Sequence, residues 1–400
     1  MRVLQINAVI NKGSTGIIAR DICKTIIGYG GEVFFASQEK AQANNEFTVG
    51  KPIDYKLHAL FSRITGLQGY ASKTSTRALV YWIEQIQPDI IHIHNIHNNY
   101  IHLPTLFTFI AEKKIPTVIT LHDSWMLTGK CMHFLKYGCS KWKTGCCNCP
   151  AQKKEVPSLF LDSSHKVWND RKKYIGENPY IHIVGCSEWI THAAKESVLR
   201  ERVIGTIYNG VDLAVFHPRE NAIRQELSIN DKYVILGMAN KWLAPENENT
   251  YRTFIPQLQE DEILVLVGCS QDQIKKLPNK VIGMPFVTER TRLAECYSMA
   301  DVFVNTTKVD TFPTVNLEAL ACGIPVVTYD SGGARETIDS ETGYTVAYGD
   351  VQALRESINH LKNIDRQKQK EKCIDRAKRY FDCTRCYDDY ILLYQRILCE

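Results

Sequence analysis

The sequence predicts an α/β protein made of two doubly wound parallel sheets that follow one another along the chain. Two observations lead there. Short apolar runs of strand length alternate with helical patterns in two successive series, one from Val3 to about Ile207 and one from Tyr233 onward, and such alternation marks βαβ units. The 400 residues are also too many for one ordinary core and suit two domains of about 150 to 200 residues each.

Composition narrows the class. The 44% hydrophobic and 23% charged fractions are those of a soluble globular protein. Met1 to Asn7 has a strand pattern where a signal peptide would have an apolar stretch, and no apolar run approaches the roughly 18 residues that span a membrane. A cytoplasmic protein is expected, and its 14 cysteines should then be mostly reduced. Charge is uneven. Residues 1–200 carry 24 Lys and Arg against 15 Asp and Glu, a net +9, whereas residues 201–400 carry 24 against 29, a net −5. Ten basic and three acidic residues fall between Lys130 and Lys173, interleaved with Phe134, Tyr137, Trp142, Phe160, Trp168 and Tyr174. Two readings fit: a face held on the inner, anionic surface of the plasma membrane, or an ordinary solvated basic face. No nucleic-acid recognition motif accompanies the charge, so no nucleic acid is expected as a partner.

The elements follow in order. Val3 to Ile6 is the first strand, and the glycine-bearing loop Asn11 to Gly16 precedes a helix over Ile17–Ile27 that Gly28, Gly30 and Gly31 end. Glycines at 13 and 16 let backbone N–H groups approach a diphosphate or sugar with no Cβ in the way, and Lys12 and Ser14 add donors or cap the turn. Residues 40–75 carry helical patterns. Pro88 to His97 runs from a buried strand into the polar tip His94-Asn95-Ile96-His97. The alternating histidines suggest a metal, but no carboxylate or cysteine stands nearby at ligand spacing, so the metal reading is set aside for His94, Asn95 and His97.

Thr117 to Trp125 is a strand that delivers His122 and Asp123 to its carboxyl end, where open parallel sheets bind ligands. Asp123 there orients the imidazole or acts as a base on a bound hydroxyl; the pair is otherwise structural. Cys131, Cys139, Cys146 and Cys149 come next, the last two at the Cys-x-x-Cys spacing that chelates zinc. A structural zinc, free buried thiols and a disulfide are the three readings. Ile181 to Trp189 is a further strand leading into a helix, and the Asn209-Gly210 turn and the Phe216-His217-Pro218 linker mark the passage to the second series.

That series runs through Tyr233–Gly237, Ile263–Gly268, Val281–Gly283 and Asp301–Asn305. Pro313 suits the first turn of a helix that Gly323 and Pro325 stop; Val326–Tyr329 is the next strand, and Ser331-Gly332-Gly333 opens a second helix. Two helix N-termini at strand carboxyl ends favour anions, hence a phosphate. Glu318 stands one and a half turns into the first of these helices and Asp310 just before it, so both carboxylates face one crevice, where they accept hydrogen bonds from sugar and ribose hydroxyls. The plain alternative is a βα unit with surface acids. Beyond Asp350 the pattern is helical and charged, turning apolar again at Tyr387, Tyr390, Ile391, Leu393 and Tyr394.

Asp310 and Glu318, two acids separated by seven residues, together with Phe312, Glu318-Ala-Leu-Ala-Cys-Gly323, Pro325 and Gly332-Gly333, resemble the signature of the family 4 glycosyltransferases, in particular the bacterial branch that builds colanic-acid-like and capsular surface polysaccharides. The resemblance covers nearly the whole chain. It implies the GT-B fold, two Rossmann-like domains facing a central cleft: residues 1–207 on the acceptor side, 208–382 holding the donor, and a closing helix, 383–400, packed back on the first. It implies a retaining transfer of sugar from a nucleotide-diphosphate sugar to a saccharide, lipid-linked or free, in surface polysaccharide biosynthesis, with no cofactor for catalysis. By the same resemblance, His122, Asp310 and Glu318 are catalytic, while Gly13, Gly16, Lys241, Thr314, Val315, Glu318, Gly332, Gly333 and Glu336 bind the donor. His94, Asn95, His97 and Asp123 lie on the acceptor side.

The pattern breaks at one place. Where family members carry an Arg and a Lys six residues apart to hold the diphosphate, this chain has Asn240 and Glu246, with Lys241, Arg252 and Arg290 as the cations left to serve. That departure favours the rival reading of a weak or inactive homologue that binds a sugar nucleotide or a partner enzyme. A GT-B sugar-nucleotide epimerase is a further alternative.

Overall fold

In the computed structural model, which describes residues 1–220 and 222–400, the apolar runs become two parallel sheets. The first has the order β3-β2-β1-β4-β5-β6-β7, with β1 Arg2–Ile6, β2 Glu32–Ser37, β3 Glu46–Thr48, β4 Ile90–Ile93, β5 Thr117–Leu121, β6 Ile181–Gly185 and β7 Val203–Thr206. The second has the order β10-β9-β8-β11-β12-β13, with β8 Tyr233–Met238, β9 Glu262–Val267, β10 Val281–Met284, β11 Val302–Asn305, β12 Val326–Tyr329 and β13 Gly343–Val346. The unit around the first sheet is Met1–Tyr208 with Tyr387–Glu400; the unit around the second is Asn209–Cys386.

Both windings share one device. The chain steps outward from β1 to β3 and then returns to the other side of β1 with β4; in the second unit it steps from β8 to β10 and returns with β11. The loops after β1 and β4, and after β8 and β11, therefore diverge, leaving a crevice at the carboxyl ends of the strands in each unit. The inner strands read as nearly continuous apolar runs because helices cover both faces: Ile90, Ile91 and Ile93 of β4, around a buried His92, and Val302, Phe303 and Val304 of β11 are fully buried. Each such side chain contributes about 1.5–3 kcal/mol by leaving water.

Several elements differ from expectation. The first helix is longer, Gly13–Gly28, so Gly13 and Gly16 sit in its first turn, and the glycine loop is confined to the residues before it. Gly13 has φ +63°, which favours glycine, and a Cβ at Gly16 would come within 3.1 Å of the Val9 side chain. Ser331-Gly332-Gly333 opens only a 3₁₀ turn, Ala334–Thr337. The reason is Arg376, whose guanidinium donates to the carbonyls of Glu336, Thr337 and Ile338 and so takes the acceptors that a continuing helix would use.

Among the six aromatics of the basic segment, only Phe160 is largely exposed. Phe134 and Trp142 are buried. The chain ends in three helices, Val351–Lys362, Arg366–Phe381 and Cys383–Cys399. The last buries Tyr387, Tyr390, Ile391, Leu393 and Tyr394, and its tyrosines are fixed by polar contacts: Tyr394 Oη lies 2.6 Å from His92 Nδ1, and Tyr390 Oη lies 2.8 Å from Thr120 Oγ1. Its start passes so close to Gly210 that a Cβ there would meet Cys383 Cα at 2.3 Å.

Candidate active site

The predicted residues fall into two groups, one in each unit. In the second unit they converge at the switch point between β8 and β11. The loop after β11 pairs with the loop after β12: Asp310 forms a parallel bridge with Gly332, and Gly333 N–H donates to the Asp310 carbonyl at 3.0 Å. Gly332 has φ +66°, a conformation that costs glycine little. The loop after β8 supplies Lys241, whose Nζ lies 3.1 Å from Thr307 Oγ1 and 3.8 Å from Asp310 Oδ2. The cation thus stands one residue away from the family's position. Asn240 and Glu246 are both exposed, and Arg252 is turned outward to Glu248 at 2.7 Å, away from this crevice.

The helix Thr314–Ala321 starts beside this cluster. Its N-cap, Pro313, brings no side-chain oxygen to the first turn, so the N–H groups of Thr314 and Val315 have no capping partner. Glu318, one turn further, accepts a hydrogen bond from Tyr297 Oη at 2.9 Å. Burial pushes the Glu318 carboxyl up to about 7, against the opposing pull of the Tyr297 hydroxyl and the Arg290 guanidinium. Arg290 itself lies 3.4 Å from Asp212 and over the Phe216 ring. Glu336 is half-buried in the 3₁₀ turn that Arg376 braces.

The first turn of the helix Thr314–Ala321 carries one member of a buried amide chain that sequence reading missed. Asn305 Nδ2 donates to Asn316 Oδ1, Asn316 Nδ2 donates to Thr337 Oγ1, and Thr307 N–H donates to Asn305 Oδ1. It ties β11, the Thr314 helix and the 3₁₀ turn together. The available signal was an asparagine inside an apolar strand and another inside an apolar helix.

In the first unit, the loops after β1 and β4 are joined by Asn7, which accepts from Asn95 N–H at 3.1 Å and donates to the Val9 carbonyl at 2.8 Å. His94 is buried and spent within the protein: its Nε2 faces Gln5 Oε1 at 2.7 Å and its Nδ1 faces His122 Nε2 at 2.9 Å. It positions His122, where the sequence suggested an acceptor contact. With the Gln5 carbonyl accepting from His94 Nε2–H, neutral His94 has its lone pair on Nδ1. His122 must then donate through Nε2–H, which leaves Nδ1 as its own acceptor nitrogen. Burial holds His122 down at about 4 and His94 well below the usual imidazole range, so both are neutral near pH 7.

Asp123 does not orient His122. It pairs with His97, Oδ2 to Nε2 at 2.9 Å, and accepts from Trp125 N–H at 2.8 Å. Burial lowers the His97 pKa, but the charge and hydrogen bond of Asp123 outweigh it and raise the imidazole above its ordinary value. For Asp123, burial acts upward, but the His97 charge, its hydrogen bond and that of Trp125 N–H together outweigh it, so the carboxyl is lowered. Beneath the pair, Trp125 Nε1–H donates to Gln68, Gln68 donates to the His97 carbonyl, and the Arg171 guanidinium stacks 3.7 Å from the Trp125 ring centroid.

Cys131, Cys139, Cys146 and Cys149 do line one small pocket, with Cys147 and Trp142. Among the described residues, however, no group of three or more His, Cys, Asp or Glu side chains is arranged to hold a metal ion, and every cysteine is a free thiol. Local contacts hold this segment: Cys146 Sγ accepts from Gly129 N–H at 3.2 Å, and the Thr128 hydroxyl donates to the Cys131 carbonyl at 2.7 Å. Burial pushes Cys131 up to about 12 and Cys146 up to about 11.

Comparison with known proteins follows the same division. The family model described as Glycosyl transferases group 1 matches residues 220–380, and the one described as Glycosyltransferase Family 4 matches residues 19–215. A putative colanic acid biosynthesis glycosyl transferase, WcaC, of Escherichia coli (strain K12) is 25% identical over 67% of this chain and 66% of its own length. A GDP-mannose-dependent alpha-mannosyltransferase of Mycobacterium tuberculosis is 33% identical over 38% of this chain and 41% of its own. The alignments thus span under two thirds of WcaC and less than half of the mannosyltransferase. Among solved structures, sucrose-phosphate synthase from Thermosynechococcus elongatus has a TM-score of 0.73 at 16% identity, covering 100% of this chain and 99% of the other. Anabaena Alr3699/HepE in complex with UDP-glucose has 0.69 at 17%, covering 99% and 100%. These likenesses show the GT-B fold.

Proposed function

Because the chain belongs to the family 4 (group 1) glycosyltransferases, we propose that it moves a sugar from a nucleotide-diphosphate sugar to a saccharide acceptor, retaining configuration, in the building of a surface polysaccharide. One observation carries the reading. Lys241 stands 3.8 Å from Asp310, and the helix that follows starts without a side-chain cap at Thr314 and Val315 and carries Glu318 about one turn on. Each has a counterpart on such a donor. The N–H groups and the Lys241 ammonium take the diphosphate and its growing charge as the sugar leaves. Glu318 accepts from the ribose hydroxyls, and Asp310 with Gly333 contacts the sugar. In the first unit, His122 Nδ1 accepts from a sugar hydroxyl, held in that tautomer by His94 and Gln5. HepE was solved with UDP-glucose and the mycobacterial relative is GDP-mannose-dependent, so the donor tests begin with those two nucleotides.

The acceptor is a lipid-linked saccharide, which brings the enzyme to an anionic membrane surface. Lys241 also bears on the rival reading of an inactive homologue: the cation lost at positions 240 and 246 returns at the neighbouring residue, 3.8 Å from Asp310. The test is hydrolysis of UDP- and GDP-sugars followed by mass spectrometry, wild type against Asp310→Ala and Glu318→Ala. Slow hydrolysis of one donor, lost in both variants with the fold intact, is expected. Binding without turnover in wild type would favour the inactive homologue, and no binding of any nucleotide sugar would overturn the donor site.

A further inference from the structure

The helix Pro52–Thr65 is amphipathic the wrong way round for a free monomer. Its inner side is polar. Tyr55 Oη donates to the Gln38 and Val49 carbonyls, His58 bonds Ser72 Oγ through Nδ1 and accepts from Gly69 N–H through Nε2, and Ser62 Oγ donates to Asn99. Its outer side is apolar. Ile53, Leu57, Leu60, Phe61 and Ile64 follow one helical stripe and are 36–57% exposed. The stretch Leu159-Phe160-Leu161 extends the stripe, pinned to the end of the same helix where Leu159 N–H donates to the Arg63 carbonyl and Ser163 Oγ to the Thr65 carbonyl; Phe160 is 73% exposed. Eight contiguous apolar side chains left in water mark a contact surface.

We infer that this surface docks on an anionic lipid bilayer, the helix lying flat in the headgroup region. This deepens the proposal of a lipid-linked acceptor and rests on it. Charge selects the occupant. Lys51, Lys56 and Arg63 border the stripe and are exposed. Two carboxylates lie in the same segments and are turned to local donors, Asp54 to Lys51 N–H and Ser75 Oγ, and Asp162 to the N–H groups of Cys149 and Ser164, so three cations stand against two anions. Apolar side chains with a cationic border complement acyl chains under acidic headgroups. A second copy of this chain docked face to face would set the same cations against themselves. A helix of 14 residues is about 21 Å long, and no helix of the described residues is long and apolar enough to cross a membrane, so the contact lies in the plane. The basic segment Lys130–Lys173, with its aromatics mostly covered, contributes to this surface mainly through residues 159–161. The geometry also orients the unit: Ser62 bonds Asn99 and Gln68 bonds the His97 carbonyl, so the docked helix is coupled directly to the loop of the acceptor-side pair His97–Asp123.

The test is flotation of the purified full chain with vesicles of phosphatidylcholine, with and without 30 mol% (about one third) phosphatidylglycerol, a content chosen to give a strongly negative surface. Wild type should float with the anionic vesicles only. Leu57→Ser/Leu60→Ser/Phe160→Ser should lower that partition at least about tenfold, and Lys56→Gln/Arg63→Gln about fivefold per charge removed, an effect that salt erases. All five residues are on the surface, and unchanged circular dichroism and donor hydrolysis check that each variant is folded. Equal flotation of wild type and the serine variant, or none by wild type, overturns the inference. So does a concentration-dependent dimer that the serine variant abolishes without any vesicle binding, which would make a second copy the occupant. Wild type that binds vesicles but hydrolyses no nucleotide sugar defeats the transferase reading and leaves the docking surface standing.

Discussion

Donor binding should be linked to a proton at Glu318. The free carboxyl titrates at about 7, raised chiefly by burial, while a carboxylate that accepts from two ribose hydroxyls must be ionised. The sign follows from the free state. A group whose folded pKa is raised above its unfolded value contributes stability below the unfolded value and loses it as pH rises through the folded one, so ionised Glu318 is costly in the empty site and relieved by the ligand. If only the ionised form binds, apparent affinity falls by a factor of one plus the protonated-to-ionised ratio. That is about twofold at pH 7, about elevenfold at pH 6 and about a hundredfold at pH 5, relative to the alkaline limit. A nucleotide-diphosphate sugar is a diester of diphosphate and does not itself titrate in that range. Isothermal calorimetry with the donor found by hydrolysis, in two buffers of different ionisation enthalpy, should show release of about half a proton per donor at pH 7. Glu318→Gln should bind more weakly and lose that release, and Tyr297→Phe, which removes the hydrogen bond to the carboxylate, should move the midpoint upward. Proton uptake in wild type, or the same pH slope in Glu318→Gln, would refute the assignment of Glu318 to the ribose.

Two further outcomes follow from the same geometry. Lys241→Ala should weaken donor binding about ten- to a hundredfold, the worth of one charge-assisted contact to a diphosphate, with partial recovery in Lys241→Arg; a change under about twofold would mean that another cation holds the phosphates. Maleimide labelling of the native protein followed by peptide mapping should modify exposed Cys147 and Cys399 first and leave buried Cys131 to react only on unfolding; equal rates at Cys131 and Cys147 would contradict the packing around that thiol.

Much of this was legible in the linear chain. Alternating strand and helix patterns predict two doubly wound sheets because a parallel strand buried on both faces must be continuously apolar and must be followed by a crossover. The acids at 310 and 318 and the glycines at 332 and 333 point, by the resemblance they carry, to the donor crevice proposed here, and Lys241 is readable as a neighbouring cation. What the linear chain leaves open is which side chain meets which. His122 and Asp123 are adjacent in sequence, yet they serve different partners, His94 and His97, because the backbone turns between them at the end of β5. The amide chain from Asn305 through Asn316 to Thr337 is invisible without the packing of three separate elements. The helix Pro52–Thr65 makes the point most directly. Its periodicity shows an apolar stripe, and the usual expectation turns such a stripe inward; only the tertiary structure reveals that Tyr55, His58 and Ser62 find buried polar partners and so point the stripe out. Periodicity records that a helix has two faces, and the choice of which to bury depends on hydrogen-bond partners brought from distant parts of the chain.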